Sequence, residues 1–558
     1  MKKRISTIIA LLLVGILVLA ACGPTTPAQP AQPEQGGQAA DTQAPAQQPQ
    51  TQAPVGDQGG VAQVIEAPEV TAQDTIRILS ASMPVSLTPW GSNDSASSEV
   101  NKQIYSHLFV LDYNTFEVVP ERGLAVEWDQ PDAMTTNIRI REGVVFHNGQ
   151  PLTAHDVAFS LRAGGESPHS EAFLGMIADA VAHDNYNLTV YTEMPFAPII
   201  RHLAHTAAGI VPENVYTALG TDAFSDNPIG SGPFMFDSLH PGDRVELVGN
   251  PHYWGNVPVL ERLIYQVVPD AGVRLAEVQA GTADIALAIN PADVPVAEGS
   301  PYSQVIRRLN LSTTYIGFNA TAPHISNPLV RQAINYAVDS RAIVDMVFMG
   351  TNAPVDGPLA PIVWGFSPQE PFDVNLERAR ELLIEAGYNP NPGEPGGFST
   401  TIWYNIPNQQ REQIAEMVAF TLASLNIQAE VVGMEWASYL QETEQGNHDM
   451  FILGWVSVTG DADYGLFPTF HSSNFGPGGN RTFWYFPALD ALLEEGRSEV
   501  DPSRRLEIYA EAQRMIRDNA PWIFLAQGET LIAANPNLRG FVINPAGHHA
   551  YAPAWFAE

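Results

Sequence analysis

Cys22 is the one cysteine in 558 residues. Its thiol is therefore the chain's strongest side-chain nucleophile, and no disulfide can form within the chain. It stands directly behind Leu19-Ala20-Ala21, and two small residues ahead of a thiol suit a peptidase groove that leaves the sulfur free to take an acyl lipid. Other chemistry finds little support. Lysine occurs only at 2, 3 and 102, which excludes a phosphate-cradling P-loop lysine. Neither a G-x-S-x-G elbow nor an H-E-x-x-H helix occurs. Asp461-Ala-Asp463 resembles the opening of a calcium loop, but the third acid, the loop glycine and the closing glutamate are missing from the required offsets. Two acids two residues apart on a loop do not set a glycosidase geometry either. His548-His549 reads as a solvated pair in a polar tail. The expectation is a protein that is not an enzyme, with no cofactor and no metal.

The residues ahead of Cys22 explain how it would be processed. Lys2, Lys3 and Arg4 precede an apolar run over 8–19, the order of a secretory signal peptide. The apolar stretch over 5–21 is near the ~17-residue lower limit for a spanning helix. Its Leu-Ala-Ala-Cys ending resembles the lipobox of bacterial lipoproteins, so 1–22 is expected to be a leader and Cys22 the lipidation site. Residues 23–73 are dominated by Pro, Gln, Ala and Gly. Such a composition buries too little apolar surface to offset its ordering entropy, and it reads as a disordered tether. Roughly fifty flexible residues reach about 40 Å on average. The expected place is extracytoplasmic, lipid-anchored on the outer face of the cell membrane, in a periplasm or at a cell surface.

The remaining 74–558 is too long for one core and should divide into two or three domains. Hydrophobic residues make up 45% and charged ones 16%, the latter below the usual ~25%. Loss of Lys2, Lys3 and Arg4 with the leader takes the formal charge from −34 to −37. Nucleic acid is excluded as a partner, because phosphate contacts need clustered Lys and Arg. Strand signals lie at 77–80, 136–140 and 451–453, and a turn at Asn148-Gly149. Thr153-Ala-His-Asp156 has the form of a capping box. Asn327-Pro328 and Asp501-Pro502 each supply an N-cap and an N1 proline. Short strands alternating with helices give an α/β chain with mixed sheets covered by helices.

Several blocks resemble the extracytoplasmic solute-binding proteins of peptide-type ABC importers (solute-binding family 5, with its dipeptide, oligopeptide and nickel binders). The clearest is 139–161, with Glu142-Gly-Val-Val-Phe-His-Asn-Gly149 leading into Thr153-Ala-His-Asp156. Others are Pro228-Ile-Gly-Ser-Gly-Pro-Phe234, Asn250-Pro-His-Tyr-Trp254, Gly281-Thr-Ala-Asp284, Val330-Arg-Gln-Ala-Ile334, Glu385-Ala-Gly-Tyr388, Gly454-Trp455, 489–493 and Pro521-Trp522-Ile523. The residues themselves read mostly as structure: His147 as a brace for its turn, and Gly230 and Gly232 as the places of a tight chain reversal.

The resemblance implies a periplasmic-binding-protein-like two-lobe fold (class II, three domains) with a hinge and an interlobe ligand cleft. Domain I would comprise 74–112, 230–310 and 522–558, domain II 113–229, and domain III 311–521. It implies a monomeric binder of a peptide, an oligopeptide in the first instance, working with importer permease and ATPase subunits. The same scaffold binding an oligosaccharide or another non-peptide solute is the alternative; a surface enzyme or sensor is a third reading. Cleft residues carried over by the resemblance, or picked as aromatic walls, are Trp90, Tyr404, Trp455, Val456, Val458 and Asp461. Two departures stand out. The position three past Trp455, commonly an aspartate that meets a peptide's ammonium, is Val458. The loop after Trp403, which brings an arginine to the ligand carboxylate in dipeptide binders, is about four residues shorter, with Arg411 already in the next helix. Both charged anchors are thus expected to be lost, and blocking a ligand's termini is expected to matter little.

Overall fold

In the computed structural model, residues 74–557 are described, apart from 93, 113 and 116. The expected leader over 1–22, with Cys22, and the expected tether over 23–73 lie outside the described residues. Two sheets organise the rest. The small sheet runs Ala125–Asp132, Thr135–Ile140, Asn187–Thr192, Ile177–Ala182, with all neighbours antiparallel. Ile138, Ile140, Leu188 and Val190 point into a core capped by the helix Ala154–Gly165. That helix starts where its sequence dictates: Thr153 and Asp156 form a reciprocal capping box.

The large sheet has eleven strands and two halves. In the first half, Thr75–Ser80 lies parallel between Arg262–Val267 and Ile285–Leu287. In the second, Phe398–Ile406 lies parallel between Ile427–Glu435 and Met450–Val456. Helices begun by the Asn327-Pro328 and Asp501-Pro502 signals, Pro328–Ala337 and Pro502–Asn519, cover opposite faces of this half.

Two long antiparallel strands, Gln304–Phe318 and Trp522–Ala534, join the halves. Their ladder is regular over 304–309, shifts register between Leu309 and Thr313, and resumes at Thr313 opposite Gln527. Gly528 sits at the break, where a Cβ would lie 2.3 Å from Ser312 Oγ. A second shift follows between Thr314 and Tyr315, and an interrupted ladder is where a sheet bends most easily.

The chain passes between the sheets at Gly230-Ser-Gly232. Neither glycine makes room for a reversal through a positive φ; each lets two backbones touch. A Cβ on Gly230 would fall 2.0 Å from Ile104 O, and one on Gly232 2.4 Å from Gln103 O. His147 braces this crossing: its ring accepts from Gly230 N (3.2 Å) and meets Gly232 O (3.1 Å).

Candidate functional site

A cavity of about 520 Å³ opens where the two halves of the large sheet meet. The first half contributes the ends of its parallel strands (80–84, Tyr265, Val267 and 287–291) and one side of the helix Ser95–Ile104. The crossing strands contribute Asn310, Ser312 and Thr314, and the second half contributes Phe348, Asn408, Gln410, Arg411 and Ile414. Binding at the carboxyl ends of strands, across a hinge, is the usual place for ligands in open α/β sheets.

Arg411 is the cation of this cavity. It lies in the first turn of the helix Gln409–Ala423, which Asn408 caps by accepting from Arg411 N. Its guanidinium turns back and donates to Asn405 Oδ1 on the preceding strand. It forms no ion pair among the described residues, and burial holds its pKa below the ordinary arginine value. A half-buried cation without a counter-charge is unfavourable until an anion arrives. The expectation of a lost arginine therefore fails on one point. Arg411 does belong to the helix, but a helix beginning right behind the strand aims its first turn into the cavity.

A second assembly lies at 455–464, where the second half of the large sheet meets the small-sheet core. Trp455 and Val458 are half-buried and pack against both cores; Val456, also half-buried, packs against the large-sheet side. The Trp455 indole N–H donates to Tyr464 O (2.9 Å), and the Tyr464 ring stacks on Phe173 at 4.7 Å. Asp461 is expected on the cleft wall, but its carboxylate is fully buried. Arg505 donates to it at 2.9 and 3.3 Å, and Arg201 lies 3.7 Å away. Asp463 faces Arg497 (3.1 Å) and His202 (3.4 Å). Burial pushes the Asp463 carboxyl up, yet Arg497, His202 and Arg505 together hold it below its ordinary value. Both acids tie the protein to itself: Arg201 and His202 belong to the small-sheet region, Asp461 and Asp463 to the other.

Trp90 and Tyr404 are not brought to either place. Trp90 is 3% exposed in the core of the first half, and its indole donates to Tyr216 Oη (3.1 Å). Tyr404 is buried under the helices of the second half, with its hydroxyl donating to Glu412. His548 and His549, read as solvated, are both buried: Asn544 N donates to His549 Nδ1, and burial pushes both imidazoles down. Among the described residues no group of three or more His, Cys, Asp or Glu could hold a metal ion.

The comparisons agree with this architecture. The model of bacterial extracellular solute-binding proteins, family 5 Middle, matches residues 119–477. The chain is 28% identical over 515 residues to the heme-binding protein A of Haemophilus influenzae, covering 86% of this chain and 92% of that one. It is 28% identical over 481 residues to the dipeptide-binding protein of Escherichia coli, covering 80% and 88%. The oligopeptide-binding protein AppA of Bacillus subtilis, solved with a nonapeptide, superposes with a TM-score of 0.77 at 25% identity, covering 88% and 100%. With the matched segment spanning well over half the chain, and a hinged two-lobe fold to carry it, this protein belongs to family 5 of the bacterial extracellular solute-binding proteins, the ligand-capturing components of ABC importers.

Proposed function

We propose that this protein captures a peptide, an oligopeptide by preference, and delivers it as a monomer to the permease and ATPase subunits of an ABC importer. It would do so while held at the outer face of the membrane by a lipid on Cys22. The observation that carries the ligand reading is Arg411, a cation on the cavity wall with no acid beside it, well placed for the carboxylate that ends every peptide. The dipeptide and nonapeptide named for two relatives support the same class. Trp455, Val456 and Val458 are assigned as the apolar surface that a ligand's side chains meet next to the seam.

Calorimetry on matched peptides tests this. A charge-assisted hydrogen bond is worth ~1.5–3 kcal/mol, so the free acid should bind at least about tenfold more tightly than its amide. Arg411→Ala should remove that difference and leave the amide unchanged. Equal binding of acid and amide by the unaltered protein would sink the proposal.

A further inference from the structure

The wall facing Arg411 carries the opposite chemistry. Glu99, in the helix Ser95–Ile104, lines the same cavity and is 5% exposed. One carboxyl oxygen accepts from Tyr551 Oη (2.7 Å) and the other from His549 N (2.7 Å). A carboxylate offers about four acceptor positions, so two of them are still open. Tyr265 also lines the cavity, at 3% exposed, and its hydroxyl sits beside the Glu99–Tyr551 pair, close to the Tyr551 hydroxyl but without a well-formed hydrogen bond. A buried carboxyl with spare acceptor capacity, next to an unsatisfied buried hydroxyl, is a site short of a multivalent donor. No arginine or lysine among the described residues forms an ion pair with Glu99. Lys102, three residues along, lies against His107 instead.

The geometry points to Glu99 as the acceptor of a ligand's primary ammonium, with Tyr265 as second acceptor, replacing the aspartate whose position is Val458. This rests on the peptide reading and extends it: ammonium and carboxylate would be read from opposite walls of one cavity. The ammonium's three N–H groups would find two open carboxylate positions and one phenol oxygen. The ionisation state gives a second handle. Burial pushes the Glu99 carboxyl up to about 8, against hydrogen bonds from Tyr551 and His549 that favour the anion. At pH 7 the empty site therefore holds a proton. An arriving ammonium stabilises the carboxylate and displaces that proton to solvent. The groups facing the carboxyl are Tyr551, the His549 backbone and Tyr265, and burial raises both phenols well above their usual value. Neither phenol titrates near pH 7.

The experiment uses trialanine and N-acetyl-trialanine, titrated at pH 7 in two buffers of different ionisation enthalpy. The unaltered protein should prefer the free amine by tenfold or more and release close to one proton per trialanine bound. Glu99→Gln should lose both the preference and the proton release, while binding the acetylated peptide as before. Tyr265→Phe, which removes a hydroxyl that makes no well-formed hydrogen bond, should weaken trialanine several-fold and spare the acetylated form. Equal affinities for the two peptides, or proton release that survives Glu99→Gln, would overturn the assignment and leave the carboxylate end of the peptide reading intact. If neither peptide bound the unaltered protein, the peptide reading would fall and this one with it.

Discussion

Arg505 shows how a single side chain can take a loop acid out of a ligand's reach. Its guanidinium donates to Asp461 through both terminal nitrogens, to Gly496 O (3.0 Å) through Nε, and lies 4.6 Å from the centre of the Trp364 ring. Arg505→Met keeps most of the volume but leaves the Asp461 carboxylate buried, with Arg201 at 3.7 Å as its remaining counter-charge. Breaking one side of a buried ion pair costs about 3–5 kcal/mol. Urea unfolding should show a loss of that order, and a loss below about 1 kcal/mol would mean that Arg201 moves in to replace it. The same residue marks the limit of the sequence at this scale. Asp461 is legible as a loop acid after a buried strand. What removes it from a ligand's reach is an arginine 44 positions further on, and no local pattern announces that partner. Arg411 is the converse case. Its place in a helix is readable from the chain; the direction of its guanidinium, set by Asn405 and the tight strand-to-helix turn, is not. Glu99 gave no signal at all, since its partners lie some 450 residues away.

Elements fared better, because their causes are local. The capping box at Thr153, the prolines at 328 and 502 and the buried strand at 451–453 all stand where the sequence puts them. The two crossing strands were not legible as a hinge, because the break at 309–313 exists only relative to a partner more than 200 residues away. Two glycines separate a contact requirement from a conformational one. Gly149 closes the turn with φ +82° and has nothing within 4 Å of its would-be Cβ. Gly149→Ala should therefore lose only the left-handed backbone penalty, ~1–2 kcal/mol. Gly230→Ala forces a Cβ against the Ile104 carbonyl, a backbone atom that cannot swing away. It should lower the melting temperature by much more, or leave no soluble protein. Equal melting temperatures for the two variants would show that 103–104 and 230–232 separate at little expense.

Across the whole molecule, the proposed lipid attachment and the acid response belong to different parts of the chain. Cys22→Ser should abolish fatty-acid labelling and release the protein into the soluble extracytoplasmic fraction; label in the serine variant would refute the lipid anchor. Acid response belongs to the folded body, which buries an unusual set of neutral histidines. Burial pushes His147, His448 and His549 down to about 4 and His205 to about 3, with His107 and His548 also well below the ordinary value. In the unfolded chain each titrates near 6.5. Between about pH 6.5 and 4 the unfolded state therefore binds more protons than the folded state, and stability must fall as pH falls. Glu99 works the other way. Its folded value is raised, so it stabilises most below the unfolded glutamate value of about 4.5 and loses that contribution as pH rises toward 8. Six histidines against one acid leave a net uptake of protons on unfolding near pH 5.5, each proton worth ~1.4 kcal/mol per pH unit. Urea midpoints measured from pH 7 to 4.5 should drop steeply below 6.5. His147→Asn, which changes a brace that does not line the cavity, should reduce the slope by about one proton. A flat profile over that interval would mean that these imidazoles take up protons without unfolding, so that the body opens to water at the Gly230 crossing and around the C-terminal histidines while still folded.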